Sequence, residues 1–66
     1  MENLKISLRA ARVNAGLSQK EAATKIGVDQ VTISNWETYK TEPTISQAIK
    51  ACETYGISID HVKFCA

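Results

Sequence analysis

Apolar residues recur along this chain at helical rather than alternating intervals, and three glycines and a series of hydroxyl residues cut the pattern into short pieces. Leu4, Leu8, Ala11 and Ala15 fall on one face of a first predicted helix, from about 4 to 15, with Gly16 placed to close it. Ile6 falls off that face. Ser18 and Glu21 have the spacing of a capping box, so a second helix starts there and runs to about Ile26, with Ala22, Ala23 and Ile26 inward. Gly27 ends it. Asp29 stands where it can cap a third helix, about 29–38, and its charge suits the positive end of the helix dipole. Ile33, Trp36 and Glu37 share one face of that helix; Gln30, Val31, Ser34 and Asn35 share the other.

A polar loop, Thr38 to Glu42, leads to Pro43 and a second capping box, Thr44 and Gln47. The fourth helix runs to about Tyr55, with Ile45, Ala48, Ile49, Cys52 and Tyr55 inward, and Gly56 stops it. Ser58 caps a last short helix with Ile59 and Val62 inward. No segment alternates with period two between turn signals, so no strand is expected. The pattern predicts an all-α chain of five short helices.

At 66 residues this is one domain, read as spanning 1–66, and it buries about 60% of the surface its unfolded chain exposes. Aromatic residues are only 6% of the chain, so Ile, Leu, Val and Ala must fill the core, which suits close helix packing. No apolar run is long enough to cross a bilayer, and Lys5, Arg9 and Arg12 are not followed by the apolar stretch of a signal peptide. A cytoplasmic location is expected, with Cys52 and Cys65 reduced. Two cysteines and one histidine, His61, give no zinc-site spacing. No metal or cofactor is expected. An enzyme is disfavoured: there is no nucleophile beside a histidine and no phosphate loop.

Two short helices with a tight turn at Gly27–Val28 have the layout of a helix-turn-helix, whose second helix is offered to the DNA major groove. Gln30 and Asn35 carry the amides that pair bidentately with adenine, and Val31 beside Gln30 can meet a thymine methyl. The same residues would also suit an ordinary solvated face. Lys20 and Lys25 serve equally as solubilising charges or phosphate contacts. The net charge of +1 is low for a nucleic-acid binder, although six basic residues stand against four acidic ones up to Lys40.

In order and at their spacing, Leu17-Ser-Gln, Ile26-Gly-Val, Ile33-Ser-Asn-Trp-Glu37, Pro43 and Gly56-Ile-Ser-Ile-Asp60 resemble the phage repressor/Cro family of helix-turn-helix proteins. The resemblance runs from about Leu4 to Val62. It implies a compact five-helix lambda-repressor-like domain that binds a double-stranded DNA operator, usually as a dimer, to control transcription. It implies base contacts at Gln30, Val31, Ser34 and Asn35 and backbone contacts at Gln19, Thr32 and Lys40. It also implies an internal ion pair between Arg12 and Glu37. Two departures stand out. Tyr39 occupies a position that is often glycine in the family, and Asp29 one that is often a neutral cap. A homodimer, at least on DNA, is expected, with the loop before the fourth helix and the segment around Val62 and Phe64 as its contact. With little chain after the domain, no small-molecule ligand is expected. The competing reading is a protein-interaction module on the same fold, such as an antitoxin or anti-repressor, which the low net charge favours.

Overall fold

The computed structural model describes residues 4–65. Among the described residues four α-helices form: α1 (Leu8–Asn14), α2 (Gln19–Ile26), α3 (Gln30–Glu37) and α4 (Ile45–Tyr55). Two short strands flank them, β1 (Ile6–Ser7) and β2 (Val62–Lys63), with a 3-10 turn at Ile59–His61 leading into β2.

Local chemistry sets most of these boundaries. Both capping boxes form: Ser18 Oγ accepts from the Glu21 N–H at 3.0 Å while Glu21 Oε1 accepts from the Ser18 N–H at 2.8 Å, and Thr44 and Gln47 repeat the exchange. Asp29 occupies the N-cap position of α3 but makes no side-chain capping bond.

The structure corrects the five-helix expectation. The fifth element is a single 3-10 turn, closed by the His61 N–H on the Ser58 carbonyl at 2.9 Å, and the chain then extends. The first helix is also shorter than its apolar spacing suggested. Ser7 caps it by accepting from the Ala10 N–H at 3.0 Å, so 4–7 lie outside. Leu4 is 78% exposed rather than inward. The expectation of no strands is overturned as well: Ile6 pairs with Val62, and Ser7 with Lys63, in a parallel ladder. This accounts for Ile6, which left the helical face because it belongs to a strand.

The core comprises Leu8, Ala11, Ala22, Ala23, Ile26, Ile33, Trp36, Ala51, Cys52, Tyr55 and Val62. Cys52 is thus a small core residue, and burial pushes its thiol pKa up. Besides Leu4, Ala15 on the same predicted face is exposed, and three more residues expected inward are not buried. Ile45 is 80% exposed, and Ile49 and Ile59 are also exposed. The buried stripe of α4 is Ala48, Ala51, Cys52 and Tyr55, which leaves Ile45 and Ile49 at its outer edge.

Candidate nucleic-acid interface

The placement of α3 is decided on its inner face. Ile33 is fully buried and Trp36 nearly so, and both pack against α2 and the core. With those two fixed, the 100° step of the helix turns Val31 and Asn35 to the opposite side, flanked by Gln30 and Ser34 on one edge and Thr32 on the other. Val31 is 68% exposed and Gln30 is exposed beside it in the first turn. Thr32, Ser34 and Asn35 are half-buried. An exposed valine between two amide-bearing residues leaves α3 with an outer face of mixed hydrogen-bonding and apolar character.

A polar network anchors the inner end of α3. Arg12 Nε donates to Glu37 Oε2 at 2.7 Å, and Arg12 Nη2 to Glu37 Oε1 at 3.3 Å. The third guanidinium nitrogen, Nη1, donates to the Leu17 carbonyl at 2.7 Å. Gln19 Nε2 completes the set, donating to Glu37 Oε1 at 3.0 Å. One carboxylate on α3 thus holds α1 and the first residue of α2, and no buried side-chain N or O among the described residues lacks a partner. Donating to the Glu37 carboxylate raises the Arg12 pKa, against a smaller opposing effect of burial.

The ion pair was foreseen from the resemblance; the roles of Gln19 and Leu17 in it were not. The resemblance implied only a DNA-backbone contact for Gln19. The signal missed was the inward face of Glu37, where a carboxylate with two oxygens needs more than one donor.

Around this unit, Arg9, Lys20, Lys25 and Lys40 are exposed. Glu21 is committed to the α2 cap, where hydrogen bonding by Ser18 holds its carboxyl below the usual range. Lys40 follows Tyr39, whose φ of 63° is left-handed, and the Lys40 N–H closes on the Asn35 carbonyl at 2.9 Å. The loop therefore turns back onto α3 with the conformation that glycine would adopt there.

The comparisons agree with this geometry. A family model described as helix-turn-helix matches residues 8–62. The HTH-type transcriptional regulator ImmR of Bacillus subtilis (strain 168) is 34% identical over 55 residues, covering 83% of this chain. The aligned part is 43% of that protein, so the chain spans less than half the length of this relative. No solved structure matches. With α1 through α4 all inside the matched region, the chain belongs to the helix-turn-helix family.

Proposed function

We propose that this chain is a sequence-specific double-stranded DNA-binding transcriptional regulator, or the DNA-reading part of one. Its recognition helix is α3, lying with its caps (29–38) in the major groove of a pseudo-palindromic operator. The observation that carries this reading is the division of α3: Ile33, Trp36 and Glu37 are locked inward, while Gln30 and Val31 stand exposed in the first turn. The first turn of a recognition helix penetrates the groove most deeply. The similarity to a protein named as a transcriptional regulator supports it.

Gln30, Val31, Ser34 and Asn35 read base edges, and Gln19, Thr32 and Lys40 hold register on the phosphates. Only one Gln19 amide hydrogen is engaged with Glu37; the second hydrogen and the carbonyl oxygen remain for a phosphate and its water. Gln19 so ties the inner network to the backbone of the DNA. The protein works in the cytoplasm as a homodimer, at least on DNA; no helix among the described residues is long and apolar enough to cross a membrane.

Selection of bound duplexes from a random pool tests the reading. A symmetric consensus, bound more weakly as salt rises, supports it. No retained duplex at low salt overturns it. That result would leave the protein-interaction module, which the net charge of +1 favours.

A further inference from the structure

All four helices end in the same hydrogen-bonded turn. A residue with positive φ follows the last turn, and the next N–H reaches the carbonyl five residues back: Leu17 to Arg12, Val28 to Ala23, Lys40 to Asn35 and Ile57 to Cys52, at 2.9–3.2 Å. At three of these ends the residues are glycine and then an apolar side chain packed on the core, namely Leu17, Val28 and Ile57. At the end of α3 they are Tyr39 and an exposed lysine. The one end that departs is the one beside the proposed recognition face, and it departs at both positions.

The left-handed conformation is disfavoured for any residue with a Cβ and most for bulky ones. Such a residue persists where its side chain has work to do, and these outliers gather at functional sites. The Tyr39 side chain is half-buried and has no core role comparable to that of Leu17, Val28 or Ile57. Among the described residues no buried side-chain oxygen lacks a partner, and the Tyr39 hydroxyl is in none of the side-chain hydrogen bonds, so it reaches solvent. Its backbone is held to α3 on both sides, by its own N–H on the Trp36 carbonyl at 3.3 Å and by the Lys40 N–H on Asn35.

The geometry points to Tyr39 as a further DNA contact, its phenol donating a hydrogen bond to a phosphate adjacent to the one that Lys40 engages. This rests on the DNA-binding reading above. A phenol is uncharged at neutral pH, so it adds affinity without displacing a counterion. Binding to operator and to scrambled DNA should therefore gain equally, with no change in salt dependence.

Three proteins test this: the wild type, Tyr39→Phe and Tyr39→Gly, titrated on the selected duplex and on a scrambled one at several salt concentrations, with thermal melts of each. Both variants should bind both duplexes more weakly, by about tenfold for each copy bound, the order expected for a hydrogen bond to a charged group. The salt slope should match the wild type. Tyr39→Phe should melt like the wild type, and Tyr39→Gly no lower. If Tyr39→Phe binds as the wild type does, the hydroxyl makes no phosphate contact and the inference falls. If DNA affinity holds but sedimentation shows weaker self-association, Tyr39 meets a second copy of the chain instead, and the inference falls again. If the wild type itself retains no duplex, the failure is that of the DNA-binding reading.

Discussion

The Arg12 guanidinium and the Glu37 carboxylate meet through two hydrogen bonds, at 2.7 and 3.3 Å, with their side chains only 10% and 4% exposed. Removing one partner from such a pair leaves a buried charge uncompensated, which costs about 3–5 kcal/mol. Small domains are stable by only about 5–15 kcal/mol, so either loss threatens folding. Arg12→Met and Glu37→Gln should both melt far below the parent in thermal or urea denaturation. Melts that match the parent would mean that the pair holds nothing in place.

The parallel pairing of Ile6 with Val62 joins the two ends of the described chain, and Val62 is buried against the core. Val62→Ala removes two methyl groups there. At about 0.8 kcal/mol per buried carbon, plus a cavity contribution, it should destabilise by about 2 kcal/mol. Lys63→Ala, on the exposed next position, should change little. Urea melts of both separate a structural clasp from a loose tail.

This clasp is also where the sequence was hardest to read. Each strand is two residues long, too short to show alternation, and their pairing is decided by contacts far apart in the chain. By contrast, the starts of α2 and α4 were legible because Ser18–Glu21 and Thr44–Gln47 satisfy their own backbone within four residues. The outer face of α3 was legible because Ile33 and Trp36 fix it. Ile45 and Ile49 were misplaced for a physical reason: an apolar residue at helical spacing can border the buried stripe as well as lie in it. The third donor to Glu37 was hidden because nothing local in Gln19 distinguishes an anchoring amide from a solvated one.

Alkaline pH should weaken the fold through Tyr55. Burial, with a further contribution from the negative charge of Glu37, pushes its hydroxyl up from 10.0 to about 12, and Arg12 opposes this only in part. The folded state therefore holds the Tyr55 proton more tightly than the unfolded state does. The resulting stability is fully present below pH about 10 and is lost as pH climbs to about 12. Urea melts across that window should show the decline, and Tyr55→Phe should flatten it. An identical decline in Tyr55→Phe would assign the loss to other groups.

Gln30 and Lys40 should fail in different ways. Gln30 is exposed in the first turn of α3, and a bidentate amide contact is worth about 1–3 kcal/mol of discrimination. Gln30→Ala should weaken operator binding by that order and relax the preference at one base pair per half-site. Lys40→Ala should weaken binding to every sequence alike and flatten the salt dependence by about one unit of slope for each copy bound. Titrations on operator and scrambled duplexes at several salt concentrations measure both. Equal loss on both duplexes for Gln30→Ala would remove it from the base readers.

Binding should be two-fold symmetric. An eight-residue α3 is about 12 Å long at 1.5 Å per residue, so one copy reaches only a few base pairs of groove. A single small module contacts too little DNA for the usual specific affinity, whereas two copies on one face of the duplex double the contacts. Their recognition helices would then lie about 34 Å apart, one helical turn of DNA. Within the contact suggested by the sequence, Val62 is buried in the core of its own chain, while Phe64 two residues on is half-buried. The loop before α4 is its other part, and Ile45, 80% exposed at the start of α4, adjoins it and offers the apolar group. Ile45→Glu should leave the melt unchanged, since that side chain contributes little to the core. It should also convert cooperative two-copy binding on the symmetric operator into weaker, stepwise occupancy of its halves. Mobility-shift titrations count the copies directly. A consensus without internal symmetry, or one copy bound at saturation, would defeat the dimer; unchanged cooperativity in Ile45→Glu would move the contact elsewhere on the surface.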